Sequence, residues 1–217
     1  MLVSEALGTA FLLAVVVGSG IMAERLSGGN VALALLANAL ATGAGLTALI
    51  LTFGGLSGAH FNPVVTLAEA MEGRMTWRLA TAYGVVQICG AFAGVAAAHA
   101  MFGLQAFSPS MHVRSGWPQW WSEAVATAGL LLAIRGTSRS QPAATPFAVG
   151  AYITAAYWFT ASTSFANPAV TFARTLTPTF AGIRPVDAPG FVAAELLGAI
   201  AAILMGRWLF VKPFEES

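Results

Sequence analysis

Asn62-Pro63-Val64-Val65-Thr66-Leu67-Ala68 recurs in the second half of the chain as Asn167-Pro168-Ala169-Val170-Thr171-Phe172-Ala173. Proline has no N–H and a φ already near the helical value, so it fits the first position of a helix. An asparagine just before it is a good N-cap. Each stretch therefore starts a short helix whose free N–H groups and positive dipole end point back toward the preceding loop. A single Asn-Pro is a common turn dipeptide. Two of them, at matching places and each followed by Val-Thr-x-Ala, mark an internal repeat, which decides an architecture.

The repeat extends outward on both sides. Ser4-Glu5-Ala6 with Thr9-Ala10 recurs as Ser122-Glu123-Ala124 with Thr127-Ala128. Gln87 with Gly90 recurs loosely as Glu195 with Gly198. Both halves read in the same order: a glutamate-bearing helix, a second helix, the Asn-Pro loop, a third helix. The first repeat covers about residues 1–101 and the second about 119–211. Residues 102–118 link them, and 1–217 form a single domain.

Composition says where such a fold lives. Charged residues make up 9% of the 217 and hydrophobic residues 57%, with mean hydropathy +0.75. A soluble domain carries roughly 25% charge, so 10 basic and 9 acidic residues cannot cover a water-exposed surface here. A net charge of +1 offers no field for nucleic acid. The single cysteine, Cys89, excludes an internal disulfide framework and a cysteine metal cluster. It sits mid-helix and reads as a small packing residue. His99 and His112 lack metal-ligand spacing, so no metal or cofactor is expected. What remains is an integral membrane protein, with the lipid bilayer as its partner.

Spans of about 20 apolar residues fall at 3–23, 31–53, 79–100, 119–135, 145–161 and 189–211, with Trp77, Trp117, Trp120, Trp121 and Trp208 at the expected interfaces. Six spans put both termini on one side. Arg74, Arg78, Arg135, Arg139, Arg207 and Lys212 would share that side, against Arg25, Arg114, Arg174 and Arg184 opposite. The excess of positive charge makes it the cytoplasmic face of a cell membrane. A cleaved signal is not expected, because the first segment lacks a basic n-region and carries Glu5 in its place.

Three spans per half invert the second repeat relative to the first. The two Asn-Pro loops then enter from opposite faces and meet at the midplane. Non-helical backbone at that depth is tolerated only where protein buries it or water reaches it. Two opposed positive helix ends make the meeting point hostile to cations, while the asparagine amides can donate hydrogen bonds to a neutral molecule. The fold expected is an all-α membrane protein with six transmembrane helices, two re-entrant half-helices and an inverted internal repeat.

Ser57-Gly58-Ala59-His60-Phe61-Asn62-Pro63-Val64-Val65-Thr66 and Asn167-Pro168-Ala169 resemble the paired Asn-Pro-Ala signatures of the major intrinsic proteins, the aquaporins and aquaglyceroporins. Glu5-x-x-Gly8-Thr9 is similar to that family's first-helix pattern. The resemblance covers nearly the whole chain. It implies a passive channel rather than an enzyme, a pore in every subunit and a homotetramer. Val64 departs slightly, standing where the motif has alanine. Val170 departs more, because most of the family has a filter arginine directly after the second motif. By matching offsets from the two asparagines, the other filter positions fall at Thr42, Ala155 and Ser164; Thr42 and Ser164 rest on a fixed spacing to the motif, while a one-residue shift would put Ala156 or Thr154 in place of Ala155. A filter of Thr, Ala, Ser and Val is wide and weakly polar, and pore diameter with lining donors governs this kind of selectivity. The resemblance extends to a bacterial branch that carries valine at this position and is associated with arsenic resistance, which implies glycerol-like solutes, arsenite or methylated trivalent arsenicals, and water.

Arg174 lies four residues past Val170, about 6 Å farther along a helix and rotated by about 40°. One reading sends it to the outer vestibule as a partial substitute for the lost charge. The other, which is the expectation, has it snorkel to headgroups or pair with a loop. His60 resembles a pore-lining histidine. Glu5 and Glu123 fall within spans and are expected to accept hydrogen bonds from the re-entrant loops, whose backbone otherwise lacks partners. Glu195 and Gln87 are further candidates for bracing a loop. The alternative is a proton-coupled secondary transporter using Glu5 and Glu123 as a relay.

Overall fold

The computed structural model describes residues 1–210. Lys212 and the last residue of the span read as 189–211 lie outside them. Eight helices follow one another: α1 (Leu2–Leu26), α2 (Val31–Ser57), α3 (Pro63–Met71), α4 (Trp77–Met101), α5 (Trp117–Ser140), α6 (Thr145–Phe159), α7 (Pro168–Ala173) and α8 (Ala188–Leu209). Short 3₁₀ turns at Pro142–Ala144 and Arg174–Leu176 extend α6 backward and α7 forward.

The helices begin where the chain supplies caps. The Asn30 side chain accepts from Leu33 N–H and Thr76 from Leu79 N–H. Asn62 and Asn167 cap the two half-helices, with Pro63 and Pro168 at their first positions. α2 stops at Gly58, whose φ of 86° is left-handed and open to glycine at little cost.

α1, α2, α4 and α8 are each long and apolar enough to cross a membrane. The other two long helices carry the fold with less apolar length. α5 bears Glu123, Arg135 and Arg139. α6 has 15 residues, about 22 Å at 1.5 Å each, so the turn before it completes the crossing.

Glycine sets the helix crossings. A Cβ on Gly90 of α4 would overlap the Ala6 carbonyl of α1, and one on Gly198 of α8 would overlap the Ala124 carbonyl of α5. These are the same contact in each half. Small residues let backbones touch where lipid offers no hydrophobic drive. Gly43 on α2 and Gly150 on α6 meet in the same way, each against the other's carbonyl. Between these pairs α3 and α7 are wedged against both α4 and α8 and against each other.

The outward faces are apolar, with Leu40, Leu51, Leu56, Val85, Leu197 and Leu204 exposed. Cys89 is exposed too, which corrects its reading as a packing residue. Its position on α4 turns it away from Gly90 and the α1 contact.

Candidate functional site

A cavity of about 520 Å³ lies along the fold, lined from Glu69, Arg74 and Arg139 at one end to Ser164, Val170 and Arg174 at the other. The two capping asparagines face it from the middle. Each side chain is held twice. Asn62 Oδ1 accepts from Val64 N–H, while its Nδ2 donates to the Ala166 carbonyl at 2.7 Å. Asn167 Oδ1 accepts from Ala169 and Val170 N–H, while its Nδ2 donates to the Phe61 carbonyl at 2.8 Å. Each loop is thus stitched to the other by an asparagine proton. An amide has two such protons, so one remains on each for a solute.

Pro63, Val64, Pro168 and Ala169 do not line the cavity. Val64 packs with Leu131, Ala199 and Ala202, and Ala169 with Leu12, Ala91 and Val95. The third residue of each motif therefore fastens a half-helix into the surrounding bundle and does not shape the path. The valine-for-alanine departure is a packing change.

The loops ahead of each asparagine are strained alike. Ala59 and Phe61 in one, and Ser164 and Ala166 in the other, have φ between 48° and 50°. Non-glycine residues persist there only when surroundings over-determine them. Carboxylates supply that. Glu5 accepts from Ser57 Oγ, His60 N–H, Phe61 N–H and Gln87 Nε2 at 2.7–3.0 Å. Glu123 accepts from Phe165 and Ala166 N–H at 2.9 and 2.8 Å. Glu195 accepts from Asn167 N–H and from Thr171 Oγ1. All three are fully buried, and none lines the cavity.

His60 does line it, with Nδ1 3.0 Å from Thr66 Oγ1 and its ring edge-on to Tyr83. Thr42, Ser164 and Val170 also face it. Ala155 does not: it is exposed on the outside of α6. Val149, Ile153 and Tyr157 form the lining stripe of that helix. Ala155 is two residues, about 200°, from either Ile153 or Tyr157. The offset from Asn167 runs through the loop at 160–166, whereas the facing residue is set by how α6 rotates against Gly43. The bulky Tyr157 takes the place assigned to alanine, its hydroxyl 3.2 Å from Thr42 Oγ1.

The model of the major intrinsic protein family matches residues 1–164. The chain belongs to the major intrinsic protein family. Its similarity continues through the second motif, where that match stops short. Aquaglyceroporin AqpS of Rhizobium meliloti (strain 1021) is 58% identical over 207 residues, covering 95% of this chain and 88% of the relative. Aquaporin A of Dictyostelium discoideum is 31% identical over 230 residues, covering 98% and 79%. The X-ray structure of the aquaglyceroporin from Plasmodium falciparum matches with a TM-score of 0.71 at 18% identity, over 96% of this chain and 95% of that one. That likeness is one of fold.

In and around the two ends of the cavity in this major intrinsic protein stand residues given no site role from the sequence. At one end Arg74 contacts Glu69 and Glu72, and Arg135 pairs with Glu72. At the other, Arg114 donates to the carbonyls of Gly182, Ser162 and Phe180 and stacks over Phe165. The 102–118 linker runs alongside, donating from Ser108 and Ser110 N–H to the Leu176 and Thr175 carbonyls. Asp187 sits just beyond, ion-paired with Arg184 at 2.9 Å. Burial alone would raise its carboxyl, but the Arg184 guanidinium and the Arg114 N–H outweigh this and hold it below the ordinary value. A signal for the ends was available. Counted from the asparagines, Glu69 and Arg174 each stand seven residues on, so the repeat pairs an acid at one mouth with a base at the other.

Proposed function

We propose that this chain is a passive membrane channel for small uncharged solutes, water and glycerol-like molecules among them. The observation that carries the reading is the cavity itself, which both asparagines line and which extends from Arg74 and Arg139 to Val170 and Arg174. Asn62 and Asn167 offer donors at its centre, and His60 exchanges hydrogen bonds with solute between the centre and the Arg74 end. Thr42, Tyr157, Ser164 and Val170 make the filter. Tyr157 narrows it relative to an all-small set, and Val170 leaves it without a fixed charge at its tightest level. Such a filter suits a neutral molecule with several hydroxyls, and trihydroxy-arsenic is of that size and hydrogen-bonding kind. We place both termini in the cytoplasm, the chain in the cell membrane and four copies in a homotetramer, each with its own path. No catalytic role is proposed. A proton relay through Glu5 and Glu123 is not favoured, because both carboxylates are engaged by loop N–H groups away from the path.

The test is solute flux into proteoliposomes, comparing water, glycerol, ammonia and arsenite. Flux linear in the gradient and indifferent to a pH gradient is expected. Saturation with accumulation against a gradient would overturn the channel in favour of a coupled transporter. Val170→Arg is expected to reduce glycerol and arsenite flux about ten-fold more than water flux, since it narrows the filter. Equal loss of all solutes would remove Val170 from the filter.

A further inference from the structure

Arg174 is fully enclosed, yet it faces the path. It is 2% exposed and lines the cavity beside Val170 and Ser164. The expectation that it snorkels to headgroups is therefore overturned. The expectation of a loop contact holds in part, since its Nε donates to the Ala181 carbonyl. Its guanidinium carbon lies 3.4 Å from the centre of the Phe165 ring, and its own carbonyl accepts from Ile183 N–H. Backbone, Nε and ring face thus fix where the charge sits.

The terminal nitrogens have no such duty. Among the described residues, no protein acceptor takes a hydrogen bond from Arg174 Nη1 or Nη2, and no carboxylate lies within ion-pair distance. Nearby Arg114 differs: Nε, Nη1 and Nη2 all donate to backbone carbonyls, and it does not line the cavity. Arg114 is a brace, whereas Arg174 holds two donor groups in reserve. A second polar group faces the same space unused. Ser164 Oγ is buried, lines the cavity and has no hydrogen-bond partner. A buried polar group without a partner costs about 1–3 kcal/mol.

We propose that Arg174 is the charge-bearing selectivity residue of this channel, one helical turn outside Val170, where with Ser164 it excludes cations and receives neutral, oxygen-rich solutes. The inference deepens the channel reading and rests on it. It separates two tasks that one residue at position 170 would combine. Val170 sets the diameter at the tightest level, and Arg174 sets the electrostatics where the path is wider. A unit charge a few ångströms from the path, with no carboxylate within ion-pair distance among the described residues, raises the barrier for cations. It leaves room for a solute that an arginine at the filter would obstruct. The opposite end is built differently: Glu69 and Glu72 are paired with Arg74 and Arg135, and Arg139 also lines the cavity there.

The experiment measures potassium and glycerol permeability in proteoliposomes for wild type, Arg174→Gln, Arg174→Lys and the double variant Val170→Arg/Arg174→Gln. Arg174→Gln is expected to raise the potassium-to-glycerol ratio about ten-fold or more. Arg174→Lys should keep it near wild type. The double variant should restore cation exclusion while losing glycerol flux. A merely structural arginine gives a different result: Arg174→Gln then lowers thermal stability and total flux but leaves the ratio unchanged, and the proposal falls. Should Arg174→Gln fail to fold, the residual ion leak of the wild type decides. Chloride leak exceeding potassium leak supports a cationic mouth, and the reverse order overturns it. A wild type that passes no neutral solute at all sinks the channel reading and takes this inference with it.

Discussion

The two halves of the molecule hold their re-entrant loops with different chemistry. In the first, Glu5 takes hydrogen bonds from its loop and from Gln87, and Gln87 Nε2 also donates to Thr66 Oγ1 at 3.0 Å. The threonine proton is then available for His60 Nδ1. In the second, Glu195 stands where Gln87 does and has no amide proton to give. It accepts instead: the counterpart threonine, Thr171, donates to Glu195 Oε1 at 2.6 Å, and Asn167 N–H joins it. The same hydroxyl accepts in one half and donates in the other. Replacing one amide by one carboxylate reverses the direction of a buried hydrogen-bond chain without altering the loop it supports. One oxygen stays without a partner in each half, Gln87 Oε1 in the first and Glu195 Oε2 in the second.

The largest test of this comparison is removal of the carboxylates. Glu5→Ala strands four donors and Glu123→Ala strands two loop N–H groups. At about 1–3 kcal/mol per buried unsatisfied group, both variants should lose folded protein in detergent, Glu5→Ala more completely. Thermal unfolding of the purified variants measures it, and a milder loss for Glu5→Ala would break the ranking. Next come the matched crossings. Gly90→Ala and Gly198→Ala each push a methyl into a facing helix carbonyl, so each should cost about 1–3 kcal/mol, and by the same amount. Clearly unequal melting shifts would show that the two crossings are not equivalent.

A smaller effect separates the amide from the acid. Glu195→Gln keeps an acceptor for Asn167 and Thr171, so stability should stay within about 1 kcal/mol. Gln87→Glu sets a second carboxylate beside Glu5 and should melt lower. Melting curves for the pair give the sign of each. The smallest effect lies at the entry to α8. Asp187 has a lowered folded value, so its pairing stabilises the protein above the ordinary carboxylate pKa of about 3.9 and is lost as pH falls through the still lower folded value. Melting temperature should therefore fall more between pH 5 and 3 for wild type than for Asp187→Asn.

The halves were legible from the chain because their signals are local and repeated. A cap followed by N1 proline can be read at Asn62-Pro63 and Asn167-Pro168 without any knowledge of neighbours. Glu5 and Glu123 could be matched to loops because an apolar span has few other uses for a carboxylate. The filter was less legible. Thr42, Ser164 and Val170 line the cavity, while Ala155 does not and is exposed on α6. Spacing along a loop does not report helix rotation, and α6 is turned by its contact with α2.

The sequence alone determined the membrane class, the doubled architecture, the two asparagine caps and the absence of charge at Val170, since each rests on composition, periodicity or backbone preferences. Only the tertiary structure decided that Tyr157 faces the path. It alone also decided that one asparagine proton crosses to the opposite loop, and that Arg174 lies over Phe165 and lines the cavity. Those facts depend on which helix meets which and at what rotation. That is fixed by glycine contacts and buried hydrogen bonds between residues more than a hundred positions apart, such as Gly43 with Gly150 and Asn62 with Ala166.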